Sequence, residues 1–333
     1  MGSMTFNHRL ALTGGAGYIG SHVAKSAARA GHIVITIDNL ASGHEWAVQW
    51  GPLERGELSD RKWLRAVFAR HRIDAVVHFA ADALVGESMT DPRRYFWNNV
   101  VGSLVLLDVM REAGVRTIVF SSSCATYGNP VRIPIDEAHP QVPVNPYGES
   151  KLFVERVLKW YGDAAGLRWI ALRYFNAAGA DPECEIGEVH EPETHVIPLA
   201  IQAALGIRPR LDIYGTDYPT PDGTAVRDYI HVMDLAGAHL RGLRYLANGG
   251  TNIALNLGTG IGYSVREVVD AVTRVSCRPV PVRESPRRAG DPPTLVADPG
   301  LARRVLGWQP AYSDLQTIVT DAWRWHVAGV RRT

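Results

Sequence analysis

The stretch RLALTGGAGYIGSHVAKSAARAG, residues 9–31, places the tightest limit on the fold. A short apolar run ends in glycines and passes directly into helical spacing. Ile19, Val23 and Ala27 share one face, and Gly31 is placed to stop the helix. A strand that turns so tightly into a helix is a βα unit, and the chain repeats it. HIVITID, DAVVHFA, RTIVF and RWIALRYFN read as strands. The near-continuous hydrophobicity of HIVITI and AVVHF suits strands buried on both faces. Helical stretches alternate with them: DRKWLRAVFARH with Asp60 as N-cap, a long one from about Arg93 to Ala113, and NPYGESKLFVERVLKWYGDAAG. Strands alternating with helices of this length predict an α/β fold built on a doubly wound parallel sheet.

The second half is less regular. From about Asn176 to Thr224 it is rich in Pro, Gly and acids around one helical piece, IPLAIQAALG. NIALNLGTGIGYSVREVVDAVTRV then reads as strand, turn and helix. A smaller C-terminal α/β substrate lobe is expected there, with no internal repeat. The boundaries expected are 4–175 for a Rossmann-type nucleotide-binding domain, to which the chain returns around 225–260, and 176–333 for the lobe.

Bulk properties exclude several classes. Apolar residues are 46% and charged residues 21% of 333, enough for an ordinary core. A formal net charge of +1 gives no support for a nucleic-acid or membrane-surface partner. Cys124, Cys184 and Cys277 are too few and too scattered for a disulfide framework or a zinc site, and no metal is expected. Sparse cysteines fit a reducing, cytoplasmic setting. No run approaches the ~18 apolar residues of a membrane helix. MGSM lacks the features of a signal peptide, and Met1–Ser3 read as a cloning remnant before a native start at Met4.

Gly14, Gly17 and Gly20 lie at the first strand–helix junction. Glycines there let the backbone turn and approach a pyrophosphate, which sits against the positive end of the helix. Asp38 ends the next strand, 18 residues after Gly20. An acid at that place accepts ribose hydroxyls and repels a 2′-phosphate, which favours NAD over NADP.

Two later stretches carry the chemistry. SSSCATYG follows the RTIVF strand, and PYGESKL places Tyr147 and Lys151 four residues apart, on one helix face. A tyrosine is a poor base at its reference pKa of about 10. A nearby ammonium and a nicotinamide cation favour the phenolate, and a fall of ~3 units takes about 4 kcal/mol. Such a tyrosine takes a proton from a sugar hydroxyl, with Ser123 sharing it. A Ser-His-Asp reading of the serines has no G-x-S-x-G elbow to support it. Cys124 reads as a small buried residue.

TGGAGYIGSH, DNL, HFAA, FSSSCATYG, NPYGESK, LRYFNAAGA and DYPTPDGTAVRDYIHVMDL together resemble the extended short-chain dehydrogenase/reductase superfamily. Within it the chain is similar to the UDP-glucose (UDP-galactose) 4-epimerase branch, from about Leu10 to Trp325. The resemblance implies reversible C4 epimerisation of a UDP-sugar through a 4-keto intermediate, with NAD tightly bound. It implies that Ser123, Tyr147 and Lys151 are catalytic. It places Gly14, Gly17, Tyr18, Ile19 and Gly20 on the cofactor, with Asp38 and Asn39, and Glu57 and Leu58 beside the adenine. Phe79, Ala80, Asn98, Ser121, Tyr174 and Phe175 complete that set, with Tyr147 and Lys151.

For the UDP-sugar the resemblance implies Ser123, Tyr147, Asn176, His195, Arg227, Arg288, Asp291 and Leu295. Arginine suits the phosphates because it pairs bidentately. Three positions depart from the pattern. Ala83 stands where many relatives have a lysine, Glu149 replaces a common lysine, and Leu295 occupies the place associated with admitting an N-acetyl group. UDP-hexose, UDP-N-acetylhexosamine and UDP-pentose therefore stay open, as does another NAD-dependent nucleotide-sugar oxidoreductase. Relatives also lead to the expectation of a homodimer through the helices near 93–113 and 147–165, using Phe96, Val100, Leu104, Leu158 and Trp160.

Overall fold

A computed structural model describes residues 7–288 and 290–330; the proposed start at Met4 and remnant at Met1–Ser3 lie outside them. The chain forms two compact units. The first runs to Asn129 and includes Pro140–Arg173 and Ala236–Leu255; the second holds Pro130–His139, Tyr174–Leu235 and the chain from Asn256 onward.

Six strands follow in chain order: β1 (Arg9–Thr13), β2 (Ile33–Asp38), β3 (Leu53–Arg55), β4 (Ala75–His78), β5 (Thr117–Ser123) and β6 (Arg168–Tyr174). With Ile253–Leu257 they make a seven-stranded sheet ordered Ile253–Leu257, β6, β5, β4, β1, β2, β3. β1 pairs parallel with both β2 and β4, so the chain winds outward in both directions from β1. That reversal opens a crevice at the carboxyl ends of β1 and β4, where doubly wound sheets bind ligands.

The expected helices form for local reasons. Helix α1 (Tyr18–Arg29) buries Val23 and Ala27 and is followed by Gly31 at φ +89. In α2 (Arg61–His71), Asp60 caps the Trp63 amide at 3.0 Å. The Pro146–Ala165 helix starts with Asn145 accepting from the Gly148 amide at 2.8 Å and with Pro146 in its first turn. Glu149 sits in that turn, where a negative charge favours the helix dipole. Ile37, Val76 and Phe120 of the sheet pack with Leu64 and Phe68 of α2 and with Leu107 and Leu158.

The long helix expected from Arg93 to Ala113 is interrupted. Pro92–Tyr95 passes into a π-helical turn, Phe96–Val101, before Gly102–Glu112. The widened turn holds Asn99 inward. Its amide bonds the Asp82 backbone on both sides, at 2.8 and 3.0 Å, and Ser150 Oγ at 3.0 Å. These bonds satisfy a polar side chain that a regular helix would leave to solvent.

In the second unit, Asn176–Ala178 pairs parallel with Tyr229–His231. Tyr263–Ser264, Val226–Arg227 and Thr294–Leu295 form a three-stranded sheet. The Val196–Ala204, Val265–Ser276 and Leu315–Val330 helices share a core through Leu199, Val272 and Ile318. Buried Asp228 ties its loops together, accepting from the amides of Thr259, Gly260 and Ala297 and from Thr259 Oγ1. Among the described residues, no helix is long and apolar enough to cross a membrane.

Candidate active site

The loop between β1 and α1 is shaped by two glycines that the backbone cannot exchange. Gly14 has φ +70, and a Cβ at Gly20 would lie 2.2 Å from the Gly14 carbonyl oxygen. Gly17 differs. Its φ of −81 suits any residue, and a Cβ there meets only the Gly14 oxygen, at 3.3 Å. The space it leaves lies outside the packed protein, over a helix start with no side-chain cap and no acid in its first turn. The amides of Tyr18, Ile19 and Gly20 are the first donors of that helix, and this cradle fits a pyrophosphate.

Asp38, at the end of β2, is buried and receives one backbone amide on each oxygen: Ala16 at 3.0 Å and Leu40 at 2.8 Å. Burial pushes its carboxyl up, and the two amides pull it back in part. Two lone pairs remain for hydroxyl donors, and the neighbouring Glu57 adds further negative charge against a phosphate. Asn39 Nδ2 holds that glutamate at 3.1 and 3.2 Å. Leu58 is half-buried against the hydrophobic core. The donor and acceptor set fits NAD.

β4 delivers Phe79 and Ala80 to the same end of the sheet, their amides bonded to the Thr13 carbonyl at 2.8 and 3.0 Å. Phe79 lies against the His239 ring, 4.8 Å between centroids. His78, just before them, is fully enclosed between Thr13 Oγ1 (2.6 Å) and Ser103 Oγ (2.8 Å), and burial pushes its pKa down to about 3. It is a neutral sheet residue. Asn98 donates to Asn99 at 3.3 Å, Ala83 is exposed, and Tyr174 and Phe175 are buried.

β5 extends through the serines to Ser123, and the Pro146–Ala165 helix packs against it. This brings Ser123, Tyr147 and Lys151 together. The Ser123 hydroxyl hydrogen-bonds the Tyr147 phenol, and Lys151 Nζ lies 5.9 Å from the Tyr147 ring centre. Lys151 donates to the Ser121 carbonyl at 2.9 Å and sits 5.1 Å from the Phe120 ring centre. Burial pushes the phenol up to about 12, and the Ser123 bond offsets only part of this. Burial also pushes Lys151 down to about 7, with Glu155 acting the other way. Of the two cations expected to favour the phenolate, the lysine has its own charge weakened by burial, which leaves the larger share to the nicotinamide. Cys124, expected to be buried, is half-buried.

A testable consequence is that Lys151 costs stability. Its folded pKa is about 7 against 10.5 unfolded, so the unfolded chain binds more protons in that window and stability rises with pH across it. Lys151→Met should raise stability of cofactor-stripped protein by about 2 kcal/mol at pH 7 and below, the gain vanishing near pH 10. Thermal midpoints at pH 6.5 and 10 measure this; parallel profiles for the two proteins would contradict it.

Sequence reading missed the support beneath this site. Glu155, one turn beyond Lys151, is buried with Arg173 of β6. Arg173 donates to its two oxygens at 2.8 and 2.5 Å and to the Tyr127 hydroxyl at 2.9 Å, while Ser122 donates to Glu155 at 2.5 Å. A glutamate and an arginine 18 residues apart carry no local signal; only the parallel sheet brings them together.

The second unit gathers some of the residues expected at the sugar nucleotide. Arg227 is ion-paired with Asp291, and its backbone lies in register with Leu295. Asn176 is joined to them through Asp228, the residue after Arg227, whose carbonyl accepts from the Asn176 amide at 3.0 Å. Arg288 is engaged elsewhere: its guanidinium stacks 4.0 Å above the Tyr214 ring centre and is exposed. His195 Nδ1 meets Glu188 at 2.5 Å, and the carboxylates around it hold its pKa above the ordinary value against the effect of burial.

Residues 10–258, well over half of the chain, match the model of the NAD dependent epimerase/dehydratase family. A UDP-glucose 4-epimerase of Rhizobium meliloti (strain 1021) is 54% identical over 320 residues, covering 96% of this chain and 97% of that protein. The crystal structure of UDP-glucose 4-epimerase from Brucella ovis in complex with NAD is 51% identical, with a TM-score of 0.93 over 96% of this chain and 98% of that one. The UDP-glucose-4-epimerase of Stenotrophomonas maltophila, with bound NAD and formylated UDP-arabinopyranose, is 40% identical, with a TM-score of 0.95 over 98% and 100%. With a doubly wound sheet, a pyrophosphate cradle and an acid at the end of β2, the chain belongs to the NAD dependent epimerase/dehydratase family.

Proposed function

We propose that the chain interconverts the C4 epimers of a UDP-sugar, UDP-glucose and UDP-galactose first among them. The observation that carries the reading is the gathering of Ser123, Tyr147 and Lys151 at the end of β5, with Lys151 held by the Ser121 carbonyl and 5.9 Å from the Tyr147 ring centre. The Tyr147 phenol oxygen takes the proton of the sugar 4-hydroxyl and later returns it, and Ser123 Oγ relays or holds that proton. Lys151 keeps the Tyr147 ring and the end of β5 in place through the Ser121 carbonyl. The enclosure that raises the phenol pKa also keeps water away from an oxidised sugar.

NAD, when bound, supplies the reversible oxidant for C4 and a cationic ring that favours the phenolate. The amides of Tyr18, Ile19 and Gly20 over the open backbone of Gly14 and Gly17, with Asp38 and Asn39, would hold its pyrophosphate and adenosine end. Phe79, Ala80, Asn98, Ser121 and Tyr174 would enclose the rest, with Glu57 and Leu58 at the adenine. Arg227, Asn176, Asp291 and Leu295 would receive the UDP-sugar. Arg227 must exchange Asp291 for a phosphate oxygen, which frees that carboxylate for ribose hydroxyls. The first unit thus serves as the NAD-binding domain and the second as the UDP-sugar lobe.

We also propose a homodimer in the cytoplasm. Trp160 is 70% exposed and Trp97 60%, with Met89 and Phe153 also exposed, in helices that pack together in the first unit. Rings of that size left in water mark a contact surface. Val100 and Leu158 face the core instead, so the interface would use Phe96 and Trp160 from the expected set. Three free cysteines fit a reducing compartment.

The test is to incubate purified protein with UDP-galactose, without added NAD, and follow the C4 epimers by proton NMR. Conversion to UDP-glucose supports the reading. No conversion, with NAD shown to be bound and the protein folded, would overturn it. Parallel reactions with UDP-N-acetylgalactosamine and UDP-xylose rank the pocket at Leu295.

A further inference from the structure

The segment 188–195, before the Val196–Ala204 helix, draws two glutamates and two histidines into one cluster within the second unit. One donor atom from each of Glu188, His190, Glu193 and His195 can be chosen so that all four lie within 4.8 Å of one another. Both histidines turn Nδ1 inward. His190 Nδ1 is 3.2 Å from Glu188 Oε1 and 3.8 Å from Glu193 Oε2, and His195 Nδ1 is 3.4 Å from Glu193 Oε1. Zinc–nitrogen and zinc–oxygen bonds of about 2.1 Å give tetrahedral edges of roughly 3.4 Å. Three of the four measured separations lie near that edge; the His195–Glu188 pair, at 2.5 Å, must open.

Glu188 makes the strongest case for a bound cation. Its side chain is buried, and among the described residues Oε1 meets no donor at hydrogen-bonding angles. The two Nδ1 atoms lie against it as ion-pair neighbours, at 3.2 and 2.5 Å. The surroundings fix the ligands in place. Trp325 Nε1 donates to the Glu188 carbonyl at 3.2 Å, and a Cβ on Gly187 would lie 2.4 Å from the Trp325 ring. Glu193 Oε1 accepts the amides of Thr194 and His195 at 2.7 and 2.8 Å, which orients its carboxylate. His326, on the Leu315–Val330 helix, lies in the field of both glutamates. Once both imidazoles give up their protons to a metal, the two carboxylates carry a charge that one divalent cation cancels.

We propose that Glu188, His190, Glu193 and His195 form a divalent transition-metal site, with zinc as the best-fitting ion. The mixed nitrogen and oxygen donors exclude calcium and magnesium as preferred occupants. The ion would tie the 188–195 segment to the start of the Val196–Ala204 helix within the second unit.

The experiment uses the full chain, stripped with a chelator and then exposed to zinc chloride or cobalt chloride. Equilibrium dialysis with elemental analysis should give one zinc per chain, and cobalt should give the intense visible bands of a tetrahedral complex. His190→Ala should weaken zinc binding at least 100-fold and abolish those bands. Should that variant misfold by circular dichroism, His190→Gln and Glu188→Gln provide the same reading. Zinc should also raise the thermal midpoint of the unsubstituted chain and leave that of the variants unmoved. No stoichiometric zinc, or zinc held equally well by the folded variants, would overturn the site and leave an ion-paired quartet.

Discussion

Tyr147→Phe is expected to lower kcat about 1,000-fold while the protein stays folded and still binds UDP. The substitution removes one oxygen, the atom proposed to carry the proton, and keeps the ring against Lys151. A positioned acid–base group contributes roughly 100- to 10,000-fold, so the loss should fall in that range. Binding of UDP, read by calorimetry, should change little, because Arg227 and Asp291 lie in the second unit. A loss in kcat below about tenfold would mean that Ser123 or water carries the proton.

The largest stability effect is expected at Glu155. Glu155→Ala leaves the Arg173 guanidinium buried without its carboxylate, together with the hydroxyl of Ser122. Breaking one side of a buried pair costs about 3–5 kcal/mol. The thermal midpoint should fall by roughly 10 °C. Replacing Glu155 and Arg173 together by methionine should recover most of the loss, because no uncompensated charge remains. A single variant that melts within a degree or two of the parent would contradict this assignment of the pair.

The alternation of strands and helices was legible because each element carries its own pattern. Asp60, Gly31 and Asn145 mark helix ends within a few residues of where they act. Tyr147 and Lys151 were legible for the same reason, since one helical turn relates them. Asn99 was not: the π-helical turn that aims it at Asp82 and Ser150 depends on partners 17 and 51 residues away. Asp228 lay in a quoted motif, but its role as a hub needs Thr259, Gly260 and Ala297 folded around it. Arg288 is a phosphate ligand by the resemblance, and in the structure its guanidinium stacks on the Tyr214 ring, a contact no local pattern announces. The Glu188–His195 cluster has no regular ligand spacing in the sequence, and only the folded loop before the Val196–Ala204 helix turns its four side chains together.

The reading of Tyr147 and Lys151 has a physical tension. The chain alone raises the phenol to about 12 and lowers the lysine to about 7, so the fold encloses the site before it is charged. Enclosure is useful only when a bound cation completes it, as expected of a family defined by its NAD dependence. Stability is lost here for function, which is why Lys151→Met should strengthen folding while it weakens catalysis.

The most direct measurement follows the hydrogen at C4. UDP-galactose carrying deuterium at C4 would be converted in ordinary water and the product examined by proton NMR and mass spectrometry. The account predicts that the deuterium stays at C4 of the UDP-glucose formed, because the hydrogen removed is the one returned. Its replacement by solvent hydrogen would contradict transient oxidation within a closed site and would point to proton abstraction from carbon.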